Sequence, residues 1–219
     1  HRFFGDEVRF MTGTDEHGQK VQQSAEARGV TPQEQCDEYS QRFKDMWETL
    51  GIQYDRFIRT TEKEHRQGVQ AIVQKLYDQG DIYPATYSGW YHIGDELFIS
   101  DDDVTDEGKA AGRIIWLEEK NYFFRLSKYA DWLKNYLENE NPCFIQPEAR
   151  RNEILGLLRQ GVSDLCISRP KSRLSWGIEF PFDRDFVIYV WIDALSNYIT
   201  GLGWPDGEDY AKWWSSCVH

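Results

Sequence analysis

Residues 186–200, FVIYVWIDALSNYIT, constrain the fold more than any other stretch of the chain. Phe186 to Val190 form a short apolar run of β-branched and aromatic residues, the make-up of a buried strand. From Trp191 the period changes: Trp191, Ala194, Leu195 and Tyr198 recur at i, i+3, i+4 and i+7, one face of a helix. A strand that turns directly into a helix, with a large aromatic at the switch and a small residue three positions on, builds one wall of a pocket at the strand's C-terminal end. Open α/β sheets bind ligands there. The same spacing also serves an ordinary core face, and spacing alone leaves both readings open.

The preceding chain supplies elements that suit such a layout. Residues 6–14 alternate and then turn small, a strand that runs into the loop Thr12-Gly13-Thr14-Asp15-Glu16-His17-Gly18. A helix follows, with Val21, Ser24, Ala25 and Arg28 inward and Gly29 closing it. Thr31-Pro32-Gln33-Glu34 sets an N-cap, a proline at N1 and a glutamate at N3, the reciprocal arrangement of a capping box. Phe43, Met46, Trp47 and Leu50 are expected to be that helix's apolar stripe. Tyr54 to Ile58 reads as extended, and Thr61-Glu62-Lys63-Glu64 as the cap of a helix whose inner face is Val69, Ile72, Val73, Leu76 and Tyr77.

Between Asp81 and Arg125 the texture shifts to short aromatic and β-branched pieces, 83–91, 96–99 and 114–117, which predict an inserted β-rich subdomain. Ser100 to Gly112 is acidic and polar and reads as a solvated loop; it misses the calcium-loop template, which wants glycine where Asp106 stands. Helices are expected after Ser127 and from Pro147-Glu148, then a short strand at 162–167 that leads to Ser168-Arg169-Pro170.

Composition bounds the function. A chain of 219 residues with 15% aromatic content can bury a sizeable core. Its net charge of -12 argues against a free nucleic-acid binder, which would show a basic face, so any RNA contact must be local. Cys36, Cys143, Cys166 and Cys217 lie far apart without a C-x-x-C pair, which points to a reducing compartment rather than a disulfide framework. No apolar run approaches the roughly 18 residues that cross a bilayer, and no basic-then-apolar leader opens the chain. Both ends look cut, His1-Arg2-Phe3-Phe4 standing just before a strand and Cys217-Val218-His219 just after Trp213-Trp214.

Five stretches in order, FMTGTDEHGQKVQ at 10–22, NYFFRLSKY at 121–129, SR at 168–169, WGIEFP at 176–181 and YVWIDALSNYI at 189–199, resemble the methionyl-tRNA synthetases. YSGWY at 87–91 and QPEARRNE at 146–153 fit the same order, so the resemblance covers essentially the whole chain. It implies an α/β fold: an incomplete Rossmann-type parallel-sheet core at 1–80, a connective insertion at 81–125, and helices at 126–219 that return to the core. It further implies that the complete enzyme activates methionine with ATP, as its Mg complex, and charges tRNA(Met). By resemblance Asp15 meets the ammonium group, while Trp191, Ala194, Leu195 and Tyr198 shape the side-chain pocket. The chemistry suits those roles, since an anion binds the ammonium and an aromatic surface contacts the thioether sulfur. Arg169 matches the family's S-R arginine, and it either positions a carboxylate or holds the loop by pairing with an acid. His17 either lies close to substrate or holds its loop; both stay open.

A metal at Asp15-Glu16-His17 is not expected, because successive side chains of an extended loop point apart. Nor is zinc, because residues 81–125 carry no cysteine. The class I signatures HIGH and KMSKS are absent from the 219 residues, and His92-Ile93-Gly94-Asp95 reads as strand and turn rather than a phosphate loop. No catalytic residue is therefore assigned within this chain. Removing one preorganised charge from a transition state commonly costs about 10²–10³ in rate. The chain alone is thus expected to form no methionyl-adenylate. Rival readings are a non-catalytic interaction module derived from a synthetase, and a synthetase for leucine, isoleucine, valine or cysteine. Cysteine would need metal ligands, and the aliphatic specificities a larger editing insertion. Cytoplasm is the expected compartment, with mitochondrion or another organelle as the alternative.

Overall fold

The structure, a computed structural model, describes residues 1–94 and 97–217. Asp95 of the HIGD sequence, Glu96 of the expected 96–99 strand, and Val218 and His219 lie outside the described residues. The chain divides into two compact units, His1–Asp78 with Ser168–His219, and Gln79–Ile167.

In the first unit β1 (Met11–Thr14) and β2 (Arg56–Arg59) pair in parallel, with Gly13 opposite Ile58. A parallel pair needs a long crossover, and α1 (Gln19–Arg28) and α2 (Pro32–Thr49) supply it. The capping box forms as the sequence predicts: Thr31 Oγ1 accepts from Glu34 N at 3.2 Å, and Glu34 Oε2 accepts from Thr31 N at 2.8 Å. The expected stripe of α2 does not turn inward. Phe43, Met46 and Leu50 are exposed, and the buried positions are Gln35, Cys36 and Ser40. Polar bonds select that face, since Gln35 Nε2 donates to Val21 O at 3.3 Å and Cys36 Sγ to Glu16 O at 3.3 Å. Thr61 likewise gives its hydroxyl proton to Glu16. Next, α3 (Lys63–Asp78) buries His65, Gly68, Val69 and Val73.

The second unit holds a sheet ordered β4–β3–β5–β6, with β3 (Ile82–His92), β4 (Leu97–Ile99), β5 (Ile114–Phe124) and β6 (Leu165–Cys166) all antiparallel neighbours. Acidic residues 100–112 are more ordered than a loop: Thr105 caps α4 (Asp106–Ala110) by accepting from Gly108 N at 3.0 Å, and Asp106 and Glu107 suit the positive helix end. His92 ends β3, and Ile93-Gly94 turns away. The helices α5 (Leu126–Asn135) and α6 (Glu148–Gln160) cluster with this sheet's unit, so it extends well past residue 125 and includes Cys143 and Cys166. Asp81 ties α5 to the start of β3 by accepting from Lys128 Nζ at 2.5 Å and Tyr129 Oη at 2.6 Å. Asp164 holds the first turn of α5 by accepting from Ser127 N at 3.1 Å and Ser127 Oγ at 2.5 Å.

The chain re-enters the first unit through β7 (Ser168–Pro170), antiparallel to β8 (Phe186–Ile188), and Tyr189 alone separates β8 from α7 (Val190–Thr200). The strand-to-helix switch read from the sequence is present. Packing of α7 on α3 joins the second half of the unit to the first, and α8 (Glu208–Trp213) follows. Among the described residues no helix is long and apolar enough to cross a membrane.

Candidate active site

Backbone geometry sets up the 15–18 loop. A Cβ at Gly13 would lie 2.0 Å from the Ile58 carbonyl oxygen, so only glycine lets β1 approach β2 this closely. Beyond Thr14 the chain is extended, and successive side chains take opposite directions. Glu16 turns in: its carboxylate accepts from Arg59 Nε at 2.7 Å, from Thr14 Oγ1 at 2.8 Å and from the Thr61 hydroxyl. Its backbone is bonded as well, N to Thr60 Oγ1 at 2.9 Å and O from Trp176 Nε1 at 2.6 Å.

Asp15 turns instead toward α7, where its carboxylate accepts from Asn197 Nδ2 at 3.3 Å. By surface area the residue is exposed, yet enough protein surrounds the carboxyl that partial burial, followed by the negative charge of Asp193, pushes it above the ordinary carboxylate range. Asn197 stands at i+3 from Ala194, adjacent on the helix surface. Asp15 therefore reaches α7 on the shoulder of the face formed by Trp191, Ala194, Leu195 and Tyr198. Ala194 is buried, whereas Trp191, Leu195 and Tyr198 are 56%, 57% and 40% exposed. Asp15 also lines a hollow of about 300 Å³ walled by α1 and α2; none of the four α7 residues lines it.

His17 points inward, with Nδ1 2.6 Å from Asp193 Oδ2 and its ring 5.3 Å from that of Trp176. Asp193 is 1% exposed and also meets His65 Nε2 at 2.7 Å through Oδ1; His65 Nδ1 meets Thr200 Oγ1 at 2.7 Å. Burial acts to raise the Asp193 carboxyl, but the bonds from His17 and His65 outweigh it and hold the group below the ordinary range. Arg169, buried on β7, donates from Nη1 to Ser168 O at 2.8 Å and lays its guanidinium over the Tyr189 ring, 4.4 Å from the centroid. Tyr189 is the N-cap of α7, so the arginine braces the start of the helix that carries Trp191.

Asp15 and His17 thus both meet α7, through Asn197 and Asp193, and Arg169 stacks on the Tyr189 N-cap of the same helix. Sequence reading missed Asp193, Asn197, Thr200 and His65. A signal did exist, because Asp193, Asn197 and Thr200 fall at i, i+4 and i+7, a polar stripe on the side of the helix turned away from Trp191. Glu16 and His17 are committed to separate networks, and among the described residues no three His, Cys, Asp or Glu side chains gather as a metal site.

The family model of tRNA synthetases class I (M) matches residues 1–111 and 105–219. The chain belongs to that family. Among class I synthetase relatives, the methionine–tRNA ligase of Thermotoga maritima is 47% identical over 100% of this chain and 35% of its own length. That of Clostridium acetobutylicum is 50% identical over 100% of the chain and 34% of its own length. A crystal structure of Mycobacterium tuberculosis methionyl-tRNA synthetase bound by methionyl-adenylate superposes with a TM-score of 0.86 at 42% identity, covering 97% of this chain and 43% of that one. The fold is that of the class I synthetase catalytic domain, α/β with a parallel sheet and antiparallel additions. This chain spans about a third of the length of the curated relatives it matches.

Proposed function

We propose that the full-length protein containing this chain is a methionine–tRNA ligase. Methionine's carboxylate attacks the α-phosphate of ATP, pyrophosphate leaves, and the methionyl group passes from the adenylate to the terminal ribose of tRNA(Met) as AMP departs. The observation that carries this reading is the Asp15 carboxylate held against α7 by Asn197, next to the face of Trp191, Ala194, Leu195 and Tyr198. The carboxylate receives the ammonium group, the Trp191 indole takes the thioether, Ala194 leaves room, and Leu195 and Tyr198 complete the slot. Likeness to a synthetase bound by methionyl-adenylate supports the substrate class.

Magnesium enters as the ATP complex, and the reading assigns no zinc. The 79–167 unit is taken as the connective insertion. The cytoplasm is assigned as compartment, in keeping with thiols at Cys36, Cys143 and Cys217 rather than disulfides. Since the 219 residues hold neither HIGH nor KMSKS, we assign no activation chemistry to the chain by itself. Methionine-dependent pyrophosphate exchange by the full-length protein tests the assignment. Asp15→Asn is expected to raise the methionine KM by about tenfold or more, the loss of one charge-assisted bond; an unchanged KM removes Asp15 from the site.

A further inference from the structure

Asp193 joins three segments around the proposed ammonium site. Its carboxylate meets the 15–18 loop through His17 at 2.6 Å and α3 through His65 at 2.7 Å, while its own helix carries Asn197, the donor to Asp15. All three network side chains are at least nine-tenths buried. Burying a carboxylate is costly even when paired, and a bare α3–α7 contact would be met by apolar side chains such as Val69 and Val73, both fully buried. The proposed chemistry gives neither histidine a task.

An ionised carboxylate only accepts, so His17 carries its proton on Nδ1 and His65 on Nε2. The other ring nitrogen of His17, Nε2, is buried without a hydrogen-bond partner among the described residues, so the Asp193 bond is what orients that ring by hydrogen bonding. Thr200 Oγ1 also lies 3.1 Å from Ser196 O, and its single proton serves either that carbonyl or His65 Nδ1. Titratable groups facing Asp193 are His17 from the loop, His65 from α3 and, beyond them, Asp15.

We propose that Asp193, clamped between His17 and His65, is a positioning residue for the Asp15 carboxylate and thereby a determinant of selectivity for an amino acid over the corresponding 2-hydroxy acid. The inference rests on the assignment of Asp15 to the ammonium group. Asp193 holds the loop at His17, two residues after Asp15, and adds negative potential behind the Asp15 carboxylate; a cation gains from both and a neutral hydroxyl does not.

The test uses the full-length protein and compares the methionine KM in pyrophosphate exchange with the inhibition constant of the 2-hydroxy acid bearing methionine's side chain. Their ratio does not depend on the folded fraction. Asp193→Asn is expected to lower the preference for methionine by about tenfold, the effect of one unit charge in a partly desolvated site. His65→Gln, which keeps the Asp193 carboxylate, is expected to lower it less, and it serves alone if Asp193→Asn does not fold. An unchanged ratio in the variants that fold overturns the proposal, even if kcat falls. Asp15→Asn separates the two claims. If it collapses the preference and the Asp193 and His65 variants do not, only the present inference fails; if it leaves the preference intact, the Asp15 assignment fails and takes this inference with it.

Discussion

Asp15, Glu16 and His17 are consecutive, yet they serve three different purposes. Only Asp15 presents a carboxylate toward α7, while Glu16 is saturated by Arg59, Thr14 and Thr61 and His17 is held by Asp193. Trp191→Ala in the full-length protein should raise the methionine KM by about tenfold, through lost aromatic area and sulfur contact, with the KM for ATP unmoved; equal changes in both would point to general damage. Cys36 offers a separate check. Burial, then the Glu16 charge, pushes its thiol up to about 12, whereas Cys143 is exposed. At pH 8 a thiol-alkylating reagent should label Cys143 and spare Cys36 until the protein is unfolded; comparable rates for the two would contradict the packing of α2. The loop was legible because an acidic, glycine-flanked run between a strand and a helix is a strong pattern. His65 was not, because an isolated histidine at the start of an apolar helix carries no sign of a partner 128 positions away.

Helix α7 shows what periodicity reveals and what it hides. Its apolar face was evident at i, i+3, i+4 and i+7, but spacing alone does not choose between core and pocket wall. In α2 the same rule misled, since Phe43, Met46 and Leu50 stay exposed while the hydrogen bonds that Gln35 and Cys36 donate to Val21 O and Glu16 O choose the inner face. Hydrophobic pattern alone has no term for a buried polar bond. Where α3 crosses α7, Gly68 faces Thr200, and an added Cβ would fall 2.6 Å from Thr200 Cγ2. Gly68→Ala should therefore destabilise by about 1–3 kcal/mol in urea unfolding, the usual cost of overpacking. Thr200→Ser in the same background should recover part of the loss, because it removes that methyl and keeps the hydroxyl beside His65. No recovery would place the strain elsewhere.

Both units depend on carboxylates that are more acidic than usual, Asp193 in the first and Asp81 and Asp164 in the second. For Asp81 the first cause is the hydrogen bond from Lys128, and for Asp164 that from Ser127. A lowered folded-state value adds stability that is present above the unfolded carboxyl range and lost as pH falls through the lowered one. Asp15 has the opposite sign, since its raised value disfavours the ionised form until a cation arrives. The melting temperature should accordingly hold from pH 7 to about 5 and fall below about 4, with a shallower fall in Asp193→Asn; the same acid slope in that variant would contradict the buried clamp. The central claim is that Asp15 and α7 form one amino-acid site, and the most direct measurement is a crystal structure of the full-length protein with methionine bound. The account predicts the ammonium nitrogen within hydrogen-bond distance of the Asp15 carboxylate and the thioether against the Trp191 ring. Methionine seated elsewhere, or with its amino group turned away from Asp15, would contradict it.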